Sequence, residues 1–112
     1  MPELPVAGVV DALGRDQQLR NFVRDRRIAA MPAKLSRRRA LLAEVAQVFE
    51  PGVRYPEQTV NDALRRLFDD HAALRRYLVD EQFMDRADGE YWRIGGPVAS
   101  SGGEPSGPGA DG

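Results

Sequence analysis

The segment LRRYLVDEQFMDRADGEYW, residues 74–92, contains the signals that decide the fold of this 112-residue chain. Near its end, an Asp-Gly pair at positions 88 and 89 lies between two runs that carry Phe, Tyr, Trp and Ile. Such a pair favours a two-residue turn, because both residues tolerate a positive φ. The pattern predicts a β-hairpin with strands over residues 83–86 and 91–94. Since successive side chains of a strand point to opposite faces, either Tyr91 or Trp92 is expected in the core.

Apolar residues at helical spacing predict three to four helices before this hairpin. The first is short, over residues 16–25, and residues 26–31 are ambiguous or extended. The second begins at the N-cap Ser36 and ends before Pro51-Gly52. The third follows Pro56, which suits a first helical turn but removes a side-chain cap. A further helix is capped by Asp69 or Asp70. The expected core positions are Leu19, Phe22, Val23, Leu41, Leu42, Val45, Ala46, Phe49, Val60, Ala63, Leu64, Leu67, Phe68, Leu74, Tyr77 and Leu78.

Composition divides the chain into a folded body and two ends. Residues 95–112 include seven Gly, three Pro and three Ser, so little apolar surface is available to offset the entropy of ordering. We expect this tail to be disordered and residues 1–10, with Pro2, Pro5 and Gly8, to be a loose lead-in. One domain is therefore predicted over residues 11–94. The α+β order of helices followed by a hairpin is that of a small winged-helix-like domain, with the hairpin as its wing.

Several classes of function are disfavoured by the residues that are missing or rare. The chain has no Cys and one His, which argues against disulfides, Cys-based zinc sites and His-rich metal sites. A catalytic pair with Ser36 as nucleophile and His71 as base is a poor hypothesis, because Ser36 is explained as a helix cap. We expect no enzyme activity, no metal and no cofactor. No apolar run approaches the roughly 18 residues of a membrane span, and a cytoplasmic location without a membrane partner is expected.

A basic stretch is the main indication of a partner. Residues 20–39 carry eight positive charges against the single acid Asp25, a net charge of +7. Arg37, Arg38 and Arg39 fall near a predicted helix N-terminus, where cations are unfavourable and a phosphate would be favourable. Lys34 precedes them. The alternative is a set of solvated faces in an arginine-rich chain, which has 16 Lys and Arg in all.

Further arginines fall on the predicted helix-turn-helix and wing. Arg75 and Arg76 lie in the last helix, where an outward guanidinium is suited to the major groove of DNA. Arg86 and Arg93 lie on the hairpin, where they suit phosphate or minor-groove contacts. The alternative is that Arg75 or Arg76 is paired with one of the neighbouring acids, which would weaken the case for DNA. Those acids are Asp69, Asp70, Asp80 and Glu81.

The chain also resembles a known bacterial family of unknown function. The resemblance covers about residues 20–93 and rests on Tyr55-Pro56-Glu57, Val60-Asn61, Leu74-Arg75-Arg76-Tyr77-Leu78-Val79-Asp80 and Asp88-Gly89-Glu90-Tyr91-Trp92. Members occur alone or fused to ArsR-type helix-turn-helix regulators. The resemblance implies a domain similar to transcription regulators.

Together these features favour a DNA-binding regulator, or an accessory module of one, with double-stranded DNA as its partner. The alternative is a protein-interaction module, with a protein partner or a second copy, that has kept the scaffold without DNA binding. The short last helix and its acids are consistent with that alternative.

Overall fold

A β-hairpin follows four α-helices in the computed structural model, which describes residues 4–95. The α+β class is therefore confirmed. A one-turn 3₁₀ helix covers Arg20–Phe22. The other elements, in chain order, are α1 (Val6–Arg15), β1 (Val23–Arg24), β2 (Arg27–Ile28), α2 (Leu35–Ala46), β3 (Arg54–Pro56), α3 (Glu57–Arg65), α4 (His71–Asp80), β4 (Met84–Ala87) and β5 (Glu90–Arg93).

The hairpin formed by β4 and β5 confirms the prediction from the Asp-Gly pair. Its strands are antiparallel, with Arg86 opposite Tyr91. Asp88 and Gly89 have φ of 54° and 77°, the left-handed values that a two-residue hairpin turn requires. Tyr91 is buried and Trp92 is half-exposed, as the alternation of side chains along a strand predicts.

A third strand, β3, joins the hairpin where the sequence indicated only a link. It pairs with β5, with Tyr55 opposite Tyr91, and the sheet has the order β3-β5-β4. Three residues are too few to show a period of two in the sequence. The strand forms because β5 offers it a free edge. Pro56, which lacks an N–H donor, lies on an edge strand, where a proline is tolerated.

The helices bury the apolar faces expected from their spacing. Seven residues of these faces are fully buried, at 0% exposure: Leu41, Leu42 and Val45 of α2, Val60 and Leu64 of α3, and Leu74 and Leu78 of α4. Tyr55, Met84 and Tyr91 close the same core from the sheet. This core fixes α4 beside the hairpin, and a groove forms between them.

The helix N-termini depart from the predictions at one cap. Asp70 caps α4 as expected, since its Oδ1 accepts a hydrogen bond from the backbone N–H of Ala73 at 3.1 Å. Ser36 was predicted as the cap of α2, and this is wrong. That helix begins one residue earlier, at Leu35, so Ser36 lies inside the first turn, and Lys34 at the cap position makes no side-chain cap bond. Pro56 precedes α3 without a side-chain cap, as expected.

The C-terminal end of α4 turns the chain sharply into β4. The N–H of Gln82 donates to the carbonyl of Val79 at 3.0 Å, and the N–H of Phe83 donates to the carbonyl of Leu78 at 2.9 Å. This pair of bonds is a Schellman motif, which needs a left-handed residue just after the cap. Gln82, with φ of 67°, occupies that position, where glycine is the usual residue.

The interpretation of residues 1–10 as a loose lead-in is wrong from Val6 onward. Helix α1 begins there and buries Val6, Val9, Val10 and Leu13, which follow each other at helical spacing. The prolines and Gly8 obscured this pattern in the sequence. The folded unit therefore starts ahead of the predicted boundary at residue 11. Residues 1–3 lie outside the described part of the chain.

A helix over residues 16–25 was also predicted, and it is absent from the described structure. Asp16 Oδ1 instead accepts a hydrogen bond from the backbone N–H of Gln18 at 2.8 Å, which favours a turn over a continuing helix. Strands β1 and β2, of two residues each, then form a hairpin. The extended alternative for residues 26–31 is therefore correct at Arg27–Ile28. The tail predicted for residues 95–112 lies, beyond Gly95, outside the described residues.

Candidate nucleic-acid interface

Helix α4 presents one arginine to solvent on the side opposite its core contacts. Leu74 and Leu78 are buried, and Arg76, two residues from each of them, lies on nearly the opposite side of the helix. Arg76 is exposed, and Ala72, one turn before it, is half-exposed. Within residues 4–95 the Arg76 guanidinium has no ion pair or side-chain hydrogen bond. A free cation next to a small side chain therefore marks the outer face of α4.

A groove of about 400 Å³ runs between α4 and the hairpin. Three of its lining residues are arginines and one is an acid, so the lining carries a formal charge of +2. We call it the α4–hairpin groove. Its lining residues are Ala72, Arg75, Arg76, Val79, Asp80, Arg86 and Tyr91.

Arg75 lies on the inner wall of the α4–hairpin groove and is held by three contacts. Its Nη1 donates a hydrogen bond to Oδ1 of Asn61 and is 3.9 Å from Oε2 of Glu57. Its guanidinium carbon lies 5.8 Å from the ring centroid of Tyr91. The side chain is 22% exposed, so this arginine is fixed in place and its charge is partly balanced.

Arg86 lies on the opposite wall, on β4, and it is exposed. Its Nη1 donates to the Tyr91 hydroxyl at 3.4 Å, and that hydroxyl donates to Oε1 of Glu57 at 3.2 Å. The hydrogen bond to Tyr91, and then the electrostatic interaction with the same residue, raise the pKa of Arg86. Because a guanidinium already carries its full charge at neutral pH, this change leaves the charge of the groove unaltered there.

The three arginines predicted to act together at the start of α2 have different surroundings. Arg37 is exposed and, within the described chain, has no ion pair. The guanidinium of Arg38 lies 5.1 Å from the ring centroid of Tyr77, and its Nε is buried without a hydrogen-bond partner. Arg39 Nε lies 2.8 Å from Oε1 of Glu81. Arg37, with the exposed Lys34 before it, is therefore the part of this cluster that is open to an anion.

The wider basic stretch is also partly neutralised by ion pairs. Arg26 Nη1 lies 3.5 Å from Asp11 Oδ1, and Arg27 Nη2 lies 2.6 Å from Asp69 Oδ1. The net charge of +7 counted along the sequence therefore overstates the free positive charge on the surface. The second of these contacts occupies Asp69, one of the acids considered as partners of Arg75 and Arg76.

In the described structure the α4 arginines do not pair with the adjacent acids, which was the alternative left open by the sequence. Asp69 pairs with Arg27, Asp70 caps α4 and Glu81 pairs with Arg39. Asp80 remains on the groove as its one acidic lining residue.

Arg93 lies apart from the α4–hairpin groove. It is opposite Met84, at the end of the hairpin away from the turn, and its Nη1 donates to the carbonyl oxygen of Phe49 at 3.3 Å. The residues predicted as one surface thus separate into three locations. Arg75, Arg76 and Arg86 share the groove, Lys34 and Arg37 to Arg39 lie on α2 or just before it, and Arg93 lies on the far end of the sheet.

Sequence reasoning missed the roles of Glu57, Asn61 and the Tyr91 hydroxyl. The first two entered only as residues of the family resemblance, and Tyr91 as one of two candidates for the core. Their contacts join residues that are 14 and 34 positions apart, which no local pattern reveals. One signal was available, since a buried tyrosine hydroxyl normally finds a hydrogen-bond partner.

Residues 27–93 match the model of a bacterial family described as "Uncharacterized protein conserved in bacteria (DUF2087)". The chain belongs to the DUF2087 family. The match runs from β2 to the end of β5 and includes every residue of the α4–hairpin groove, whereas α1 precedes it. The resemblance noted in the sequence is confirmed, while fusion of members to ArsR-type regulators stays a prediction. No significant match to a curated protein or to a solved structure is found.

Two further properties of the described residues bear on the type of site. None of the helices in residues 4–95 is long and apolar enough to span a membrane. Over the same residues, no three His, Asp or Glu side chains lie close enough together to hold a metal ion.

Proposed function

We propose that this protein binds double-stranded DNA through α4 and the hairpin, as a transcription regulator or an accessory module of one. The observation that carries the proposal is the convergence of Arg75, Arg76 and Arg86 on one groove beside the exposed face of α4. Arginines on such surfaces bind phosphate and, from a helix in the major groove, the O6 and N7 atoms of guanine.

The order of elements supports a winged-helix arrangement. The helices α3 and α4 are consecutive and joined by residues 66–70, as in a helix-turn-helix, and β3 joins the hairpin that follows α4. In this arrangement α4 is the recognition helix and the hairpin is the wing. Arg76 then faces the bases, and Arg86 faces a phosphate of the adjacent backbone.

The charges around α4 are compatible with a polyanion. Acids near a DNA-binding helix repel phosphate, but Asp69 and Glu81 are paired with arginines from elsewhere in the chain. Arg37 and Lys34 add exposed positive charge at the start of α2, and α2 reaches α4 through the contact between Arg38 and Tyr77. These cations are suited to further phosphate contacts.

The proposal predicts different effects for the two groove arginines. Duplexes enriched from a random pool by the purified protein are compared with a scrambled duplex by fluorescence anisotropy at several salt concentrations. With about four to six phosphates engaged, log affinity against log salt has a slope of about −4 to −5. Arg86→Gln weakens both duplexes alike and makes the slope shallower by about 0.9. Arg76→Gln costs about 1–3 kcal/mol more on the enriched duplex than on the scrambled one.

Arg15→Gln is the matched control, because Arg15 is an exposed arginine outside both the groove and the basic stretch of residues 20–39, and the substitution changes the charge equally. Its affinity for the enriched duplex should stay close to that of the parent. Absence of duplex binding by the parent at about 50 mM salt, where phosphate contacts are strong, would refute the proposal.

A second candidate function is a protein-interaction module, which is favoured by the outer face of the sheet. There the guanidinium of Arg54 stacks 4.1 Å from the ring centroid of Trp92, which is half-exposed. Trp and Arg are enriched at the energetic centres of protein interfaces. If the parent fails to bind DNA, this Arg54–Trp92 face is the surface to test against protein partners and a second copy of the chain.

A further inference from the structure

A chain of hydrogen bonds crosses the inner end of the α4–hairpin groove. Arg86 donates to the Tyr91 hydroxyl at 3.4 Å, and the hydroxyl donates to Glu57 Oε1 at 3.2 Å. Glu57 is the first residue of α3, and its backbone N–H donates to the carbonyl oxygen of Gly89, in the hairpin turn, at 2.9 Å. Both the backbone and the side chain of Glu57 therefore attach α3 to the hairpin.

The same carboxylate also contacts the other wall of the groove. Its Oε2 lies 3.9 Å from Nη1 of Arg75, which in turn donates to Asn61 on the next turn of α3. Glu57 thus contacts an arginine of α4 directly and an arginine of the hairpin through Tyr91. Its side chain is 46% exposed, so burial does not account for these contacts.

We propose that Glu57 and the Tyr91 hydroxyl are positioning residues for DNA, which hold Arg86 at a fixed place relative to α4. This inference rests on the proposed function. A carboxylate next to a phosphate-binding groove lowers its positive potential, so its charge alone opposes binding. A free arginine side chain must be ordered when it binds, and this costs affinity. If Arg86 is already held in place, that cost is avoided, which offsets the effect of the lower potential.

Tyr91→Phe tests the inference, because it leaves the buried ring and the net charge in place and removes only the hydroxyl. The expected result is an affinity for the enriched duplex about 2- to 12-fold weaker, the cost of ordering one flexible side chain on binding. In an Arg86→Gln background the same change should have no effect, since the hydroxyl acts through Arg86. A hydroxyl that served only the stability of the fold would weaken binding equally in both backgrounds.

Substitutions of Glu57 give a second test in which position and charge predict opposite signs. Glu57→Ala removes both the acceptor for Tyr91 and a negative charge, and we expect it to weaken DNA binding. Glu57→Gln removes the charge but keeps an oxygen that accepts the Tyr91 hydrogen bond, and we expect affinity equal to the parent or tighter. Thermal denaturation of every variant checks that the protein remains folded.

The outcomes separate this inference from the proposed function. If Arg86→Gln weakens binding and Tyr91→Phe does not, the positioning role is wrong and DNA binding stands. Tighter binding by Glu57→Ala would also overturn the positioning role, because only loss of charge explains it. If the parent binds no duplex, both fall together.

Discussion

Replacing Gln82 with glycine should stabilise the protein, because this residue occupies the left-handed position of the Schellman motif at the end of α4. Its φ is 67°, and a side chain with a Cβ pays about 1–2 kcal/mol in that conformation. Glycine avoids this cost but loses about 0.5–1 kcal/mol through the greater freedom of the unfolded chain. At the middle of these two ranges, the net gain in the free energy of unfolding is about 0.75 kcal/mol.

Urea denaturation measures this gain directly. For a chain of this size, Gln82→Gly should raise the denaturation midpoint by about 0.2–1 M with no change in the m-value. The melting temperature should rise by about 2–8 °C. The side chain of Gln82 is exposed and makes no hydrogen bond within the described residues, so its loss has no direct cost.

Gln82→Ala is the control, because alanine removes the rest of the side chain and keeps the Cβ that conflicts with the positive φ. We expect it to denature close to the parent. If Gln82→Gly is no more stable than Gln82→Ala, the left-handed backbone carries no cost here and the reasoning fails.

Two other substitutions test the core and the cap of the same helix. Leu78→Ala should lower the free energy of unfolding by about 2–5 kcal/mol, because Leu78 is fully buried at 0% exposure, and a loss below 1 kcal/mol by urea denaturation would contradict its central place. Asp70→Ala should cost about 1 kcal/mol, because it removes the acceptor of the Ala73 N–H, whereas Asp70→Ser keeps an acceptor and should denature near the parent. Equal destabilisation by Ala and Ser would refute the role of the cap.

The elements that the sequence predicted well are those with local signals. The turn at Asp88 and Gly89 depends on two adjacent residues, and the spacing of Leu74 and Leu78 repeats within one helix. Helix α1 was missed although Val6 and Leu13 lie on its buried face, because Pro5 and Gly8 suggested a loop. Strand β3 could not be predicted, since three residues pair only after a distant strand provides an edge.

The candidate site was predicted in its residue types but not in its geometry. Arg75, Arg76 and Arg86 were recognised as cations, and the structure brings them to one groove. Pairing decides which cations are free, and it depends on acids far along the chain: Arg39 and its partner Glu81 are 42 residues apart. Charge counts along the sequence contain no such information, so the partly neutralised state of residues 20–39 was not predictable.

Helix α1 has a practical consequence, because the family match begins at residue 27, well after this helix ends. A protein truncated at the family boundary would lose four buried residues of α1, which are Val6, Val9, Val10 and Leu13. It would also lose β1, in which Val23 pairs with Ile28 of β2. The newly uncovered apolar surface would favour self-association. For this chain the folded unit is therefore larger than the segment that matches the family, and a protein limited to residues 27–93 would lack α1 and β1.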